Sequence, residues 1–236
     1  MTTDLSNVVE LAVTELIWDQ TLYPRQQISE MHVNRIADAI RAGEALPHIV
    51  VDGKTKRIVD GTHRWKGWRK IFGDDSKIRC ELREYGSDAE MYLAAIELNS
   101  AHGLDLSSFE RTKCLLRMQE LGIERETGLR ALRMTEERAE RMMSGRTAFR
   151  SLPGGGTEPV AIKAAMYSFR GQTLTKKQMA VNNYSGGMKA SYYVDLVSGL
   201  VEAGICKDAP SELLRRLAKL RDLLNAALPG RRRKAS

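Results

Sequence analysis

Five consecutive residues, Asp60-Gly61-Thr62-His63-Arg64, combine the donors and the backbone freedom that an anion site needs. Behind them, Ile49-Val50-Val51-Asp52-Gly53 and Arg57-Ile58-Val59 read as two short apolar strands joined by a turn. Asp52-Gly53 is the turn signal, because glycine accepts the positive φ that hairpin turns demand. Gly61 stands where the second strand gives way to a helix bearing Trp65 and Trp68. A helix N-terminus carries unpaired N–H groups and a partial positive charge, which suits it to anions. Arg64 and His63 would add donors matched to phosphate oxygens. The same residues have a structural reading, with Arg64 paired to a nearby acid and His63 capping a strand.

A second chemistry-bearing stretch is rich in arginine. Glu126 to Met134 and Thr135 to Met143 read as two short helices with a break between them, Thr135 capping the second. Arg138, Arg141 and Arg146 would project from the second helix, where a helix-turn-helix presents side chains to DNA, with Arg130 and Arg133 nearer the phosphate backbone. Glu136, Glu137 and Glu140 share that helix, and pairs at i,i+3 or i,i+4 would turn some of these arginines inward to their own acids. A plain helical bundle fits the same spacing. At the chain's end, Pro229-Gly230 stops a helix and Arg231, Arg232, Arg233 and Lys234 form a basic tail, able to hold phosphates without reading sequence.

Charge is distributed to match. Residues 1–103 carry 13 Lys and Arg against 16 Asp and Glu, residues 104–150 carry 10 against 8, and residues 151–236 carry 14 against 6. The positive field therefore belongs to the C-terminal half, where it would attract polyanions. No apolar run reaches the roughly 18 residues needed to cross a bilayer, so no membrane partner is expected. The N-terminus lacks the basic-then-apolar pattern of a signal peptide. Cys80, Cys114 and Cys206 are odd in number and far apart, which points to reduced thiols in a cytoplasmic protein and away from a zinc site.

The elements that must position these residues follow in order. Val8 to Ile17 suits a first strand, and a loop around Pro24-Arg25-Gln26 leads to a helix capped by Ser29, apolar at Val33, Ile36, Ala37 and Ile40, and ended by Gly43. Residues 77–84 alternate as a strand with one buried face, and Ser87-Asp88 caps the next helix. Ser107 with Glu110 opens another helix, closed by Gly122. Leu152-Pro153-Gly154-Gly155-Gly156-Thr157-Glu158-Pro159 reads as a linker, residues 160–167 as a short helix, and residues 190–203 and 211–228 as two longer helices. The last has Leu213, Leu217, Leu220, Leu224 and Ala227 on one stripe, which suits self-association or packing on the preceding helices.

Pro24-Arg25, then Leu46-Pro47-His48-Ile49-Val50-Val51-Asp52, then Asp60-Gly61-Thr62-His63-Arg64, and finally Glu97-Leu98-Asn99 with His102-Gly103 resemble, in order, the boxes of the ParB/sulfiredoxin superfamily. Thr62 stands where sulfiredoxin has its catalytic cysteine, so the resemblance is to the partition-type ParB proteins, and it covers about residues 8–150. It implies a ParB/sulfiredoxin-like α+β domain with a small mixed sheet over 8–103 and an all-α helix-turn-helix domain over 104–150, to which the composition and apolar spacing of the rest add a linker over 151–159 and a helical region over 160–236, an α+β chain as a whole. It implies a DNA-binding transcription or partition factor, or a clamp gated by CTP, working as a homodimer. Arg25, Gly61, Thr62, His63, Arg64, Asn99 and His102 would hold the nucleotide, and Glu97 the Mg²⁺ that accompanies it. DNA would fall to Arg130, Arg133, Thr135, Arg138, Arg141, Arg146, Arg231, Arg232 and Arg233. Glu97 and Asn99 are separated by Leu98 and the family's Gln-Arg is missing, which departs from the pattern. The competing expectation is an enzyme on the same fold, a nuclease, nucleoside triphosphatase or small-molecule kinase, in which Asp60, His63, Arg64 and Glu97 form the site.

Overall fold

The structure is a computed structural model that describes residues 7–102, 105–207 and 209–228. The chain divides into two compact units at Gly187/Met188. In the first unit, β1 (Val8–Ala12), α1 (Glu30–Arg41), β2 (Ile49–Asp52), β3 (Ile58–Asp60), α2 (Thr62–Phe72), β4 (Lys77–Arg83) and α3 (Asp88–His102) form a mixed α+β layer. The sheet order is β1-β4-β2-β3, with β2 parallel to β4 and antiparallel to β3. β2 is central and wholly buried, which explains its unbroken apolar run.

Alternation along β2 sends its side chains to two different cores. Ile49 and Val51 join Val13, Leu16, Ile58, Trp65, Ile78 and Cys80 on one face. The Trp65 indole N–H donates to the Val13 carbonyl at 3.0 Å, which satisfies the one polar atom of that buried ring. Val50 and Val59 face the other way, into a core built by α3 together with α4 (Ser108–Glu120), α5 (Arg125–Ala131) and α6 (Glu136–Arg146). Residues from Leu106 to Met143 therefore share a continuous core with the sheet.

The helix starts follow their caps. Ser29 accepts the His32 N–H for α1, Ser107 and Glu110 close a reciprocal capping box on α4, and Thr135 accepts the Arg138 N–H for α6. The first strand is shorter than expected and stops at Ala12. In the β2–β3 turn the left-handed residue is Lys56, at φ 60°, while Gly53 is not left-handed. Asp52 closes this loop with its own side chain, Oδ2 accepting the Thr55 N–H at 2.8 Å and the Thr55 hydroxyl at 2.5 Å, which displaces the tighter turn that Asp-Gly suggests.

The larger correction lies beyond α6. Residues 151–159, expected as a linker, and the first two residues of the helix expected over 160–167 belong to a hairpin of β5 (Thr147–Ser151) and β6 (Thr157–Ala161), with Leu152 to Gly156 as its turn, so that helical backbone begins only at Ala164. A 3-10 turn (Ala164–Phe169) and β7 (Thr173–Leu174) follow, and β7 pairs parallel to β5 to give the order β6-β5-β7. Pro159 is tolerated because β6 is an edge strand. The C-terminal half is thus not purely helical. α7 (Lys176–Tyr184) closes this unit. The second unit holds α8 (Ala190–Glu202) and α9 (Ser211–Ala227), in which no residue is buried. Among the described residues no helix is long and apolar enough to cross a membrane.

Candidate functional site

The Gly61 corner is the junction between β3 and α2. Gly61 sits at φ 95° as the cap of α2, and no side chain caps that helix. Glycine is favoured by its conformation, and a Cβ there would lie 2.9 Å from Nε and Nη2 of Arg64 and push aside the guanidinium folded over it. Arg64 donates from Nη2 to Asp60 Oδ2 at 2.6 Å and from Nη1 to the Pro47 carbonyl at 3.1 Å. The pairing of Arg64 with a nearby acid is therefore realised.

His63 is used differently from the expectation. The Ser29 N–H donates to its Nε2 at 3.1 Å, so that nitrogen is an acceptor and the proton of the neutral ring sits on Nδ1. Its ring stands edge-on to His32, with centroids 4.7 Å apart. Burial pushes the His63 pKa down to about 4, and the positive charges of His32, Arg25 and Lys66 press the same way, against Asp60. His32 is lowered too, by burial and then by Arg25 and Arg35, and its Nδ1 is buried with no partner. Arg25, Gly61, Thr62, His63 and Arg64 thus meet around one uncapped helix start in a field of positive charge. A phosphate arriving there would meet backbone N–H groups and relieve repulsion among these cations.

The loop carrying Arg25 is fastened to α4 by residues that the motif reading missed. Glu110 Oε1 accepts the Gln26 N–H at 3.0 Å, and Lys113 donates to the Arg25 carbonyl at 3.3 Å. The capping-box spacing flags Glu110, but nothing local in the sequence signals its reach to residue 26.

The remaining nucleotide and metal candidates, Glu97, Asn99 and His102, are carried by α3. Asn99 donates its amide to the Ala95 carbonyl of its own helix at 2.8 Å. Glu97 lines an open cleft with Thr127, Arg130, Ala131 and Arg133 of the α5 region. Among the described residues no group of three His, Cys, Asp or Glu is placed to hold a metal ion by itself. The side chain of His102 lies outside the described residues, as do Arg231, Arg232, Arg233 and Lys234.

α5 and α6 are joined by a turn in which Arg133 adopts φ 51°. Its N–H donates to the Arg130 carbonyl and the Met134 N–H to the Leu129 carbonyl, each at 3.0 Å, a helix ending that ordinarily takes glycine. Ala139 is buried and Met142 packs on the same core, which turns Arg138 and Arg141 outward. Arg141 pairs with Glu137, both largely exposed, and Arg125 pairs with Glu136. Arg130 donates to the Thr127 hydroxyl at 3.2 Å. Arg138 meets no carboxylate among the described residues, and Arg146 is half-buried at the end of α6. Thr135 spends its hydroxyl on the cap of α6.

No model of a known family matches the chain. The chain is 41% identical over 83 residues to the transcriptional regulator NovG of Streptomyces niveus, which covers 35% of the chain and 24% of that protein. It is 32% identical over 88 residues to a possible regulatory protein of the streptomycin biosynthesis operon of Streptomyces griseus, covering 37% of the chain and 24% of that protein. The chain therefore spans about a quarter of the length of these curated relatives. Among solved structures it is similar to ParB. The chromosome-partitioning protein ParB of Caulobacter crescentus, complexed to the centromeric parS site, gives a TM-score of 0.42 at 17% identity over 58% of the chain and 70% of that protein. The same protein complexed with CTP-γ-S gives 0.35 at 19% identity, over 58% and 77%.

Proposed function

We propose that this chain is a ParB-like DNA-binding regulator whose α5–turn–α6 segment is a helix-turn-helix that meets duplex DNA. The observation that carries this reading is α6 itself: Ala139 and Met142 hold its inner face on the core, and Arg138 and Arg141 stand outward. The Arg141–Glu137 pair is no obstacle, because an exposed i,i+4 ion pair is worth only about 0.3–0.5 kcal/mol and exchanges readily for phosphate. The likeness to proteins named as regulators supports the same reading.

The Gly61 corner is, on this reading, the seat of a nucleoside triphosphate, and the motif resemblance makes CTP the first to test. Arg25, Gly61, Thr62 and Arg64 would take its phosphates, and His63 would contribute Nδ1–H. The site's chemistry fits an anion: an uncapped helix start and the unpartnered Nδ1 of His32. Catalysis there is less well supported. Asp60 is engaged by Arg64 and His63 Nε2 by Ser29, which leaves neither free to orient a water. Self-association falls to the second unit, where Tyr192, Leu196, Leu200, Leu220 and Leu224 are exposed.

The test is duplex binding by the full chain, measured against salt, for wild type and Arg138→Ala/Arg141→Ala. A thermal-shift panel of CTP, ATP and GTP with and without DNA accompanies it. Point variants are needed because deletion of residues 104–236 would strip the core that Val50 and Val59 share with α3–α6. Loss of binding in the double variant is expected, and undiminished binding overturns the assignment of α6.

A further inference from the structure

Tyr167 is exposed and its ring lies beside α6 at Gly145, where a Cβ would stand in ordinary van der Waals contact with it at 3.8 Å. Gly145 is four residues beyond Arg141 and seven beyond Arg138, so these three positions lie along one stripe of α6. Tyr167 therefore stands at the C-terminal end of the arginine-bearing face. The Arg170 guanidinium lies over its ring at 4.5 Å from the centroid and meets no carboxylate among the described residues.

The platform under this pair is rigid. β5 begins at the residue after α6 ends. The Ile162 N–H donates to the Arg146 carbonyl and the Gly171 N–H to the Thr147 carbonyl, both at 2.8 Å. Met166, inside the 3-10 turn, is buried with Ala148, Ile162 and Leu174. Such a support fixes Tyr167 and Arg170 relative to α6 and lowers the ordering cost of using them.

We propose that Tyr167 and Arg170 are a further DNA-contacting element continuous with α6, taking backbone phosphates of the duplex that flanks the segment α6 meets. Charge selects the partner: a guanidinium that meets no carboxylate among the described residues, oriented by an aromatic face at the end of the helix that carries Arg138 and Arg141, is complementary to a phosphate row. This inference rests on the DNA-binding reading of α6.

The experiment is fluorescence anisotropy of the full-length chain on a labelled random-sequence 30-base-pair duplex across a salt series. Wild type, Arg170→Ala, Tyr167→Ala, Tyr167→Phe and Arg138→Ala are compared, with thermal melts to confirm folding. Arg170→Ala should weaken binding about 3- to 10-fold and reduce the slope of log K against log salt by about 0.9, the value of one released phosphate contact. Tyr167→Ala should lower affinity about 2- to 3-fold by loosening Arg170, and Tyr167→Phe, which keeps the ring face, should bind as wild type. Unchanged affinity and slope in Arg170→Ala, with Arg138→Ala weakened, overturns this inference and leaves α6 standing. Weakening in Arg170→Ala with Arg138→Ala unchanged overturns the continuity with α6 that the inference asserts. A wild type that does not bind duplex at low salt overturns both.

Discussion

Glu110 holds two parts of the chain at once. Its Oε2 accepts the Ser107 N–H at 2.8 Å, closing the capping box of α4, and its Oε1 accepts the N–H of Gln26, 84 residues away, at 3.0 Å. The start of α4 and the loop that presents Arg25 are therefore pinned by one carboxylate.

Glu110→Ala should lower unfolding stability by about 1–3 kcal/mol, combining a lost cap with lost charge-assisted hydrogen bonds. Urea denaturation measures this. A loss within about 0.5 kcal/mol, the range of ordinary surface changes, would mean that the carboxylate ties nothing together.

Arg133 occupies a left-handed position where glycine is the ordinary choice, and a residue with a Cβ is disfavoured there by about 1–2 kcal/mol. Strain that survives at a surface turn calls for a reason, and a phosphate contact supplies one. Arg133→Gly should raise stability by about 0.5–1 kcal/mol while weakening duplex binding. Higher stability with undiminished binding would remove Arg133 from the DNA surface.

Much of this architecture is legible locally. Ser29, Ser107 with Glu110, and Thr135 mark helix starts because each side chain bonds an N–H two or three residues on. Gly61 announces itself as the glycine between an apolar strand and a helix, and it takes the positive φ, 95°, that glycine alone adopts without strain. What escapes is decided at a distance. Leu152 to Gly156 carries the same residue types whether it links domains or turns a hairpin, and only the pairing of Thr147–Ser151 with Thr157–Ala161 separates the two. The left-handed residues at Lys56 and Arg133 escape as well, because closure of the loop and of the helix overrides their own preference. The Ser29–His63 bond joins residues 34 apart, so the reversal of His63 from donor to acceptor at Nε2 has no sequence signal.

Gly61→Ala tests the corner directly. The substitution meets both an unfavourable φ and the Arg64 guanidinium at 2.9 Å. The cost should be about 1–3 kcal/mol of stability, and Arg64 should be displaced from Asp60. Any thermal stabilisation by nucleotide should vanish in Gly61→Ala and in Arg64→Ala alike. Full stabilisation by CTP, ATP or GTP in either variant would separate nucleotide binding from this corner.

The pH dependence follows from His63. In the unfolded chain it titrates near 6.5, and in the fold at about 4, because burial and the neighbouring cations oppose its charge. Between those values the unfolded chain binds a proton that the native chain refuses, so stability rises with pH through the window. The contribution is complete above about pH 6.5 and is lost as pH falls toward 4, amounting to on the order of 2 kcal/mol once partial solvent access is allowed for. Asp19 acts lower. Burial raises it, but hydrogen bonds from Thr21 and Arg57 outweigh that and hold it below its usual 3.8, so its contribution is lost only as pH falls below that value. Urea midpoints between pH 8 and 4.5 should therefore decline for wild type, and the decline should be shallower in His63→Gln, whose amide oxygen can still accept the Ser29 N–H. A phosphate at the corner would favour the charged imidazole, so saturating nucleotide should flatten the wild-type curve and nucleotide affinity should increase toward acid pH. Parallel curves for wild type and His63→Gln, with nucleotide affinity independent of pH, would mean that His63 neither resists protonation in the fold nor faces the bound anion.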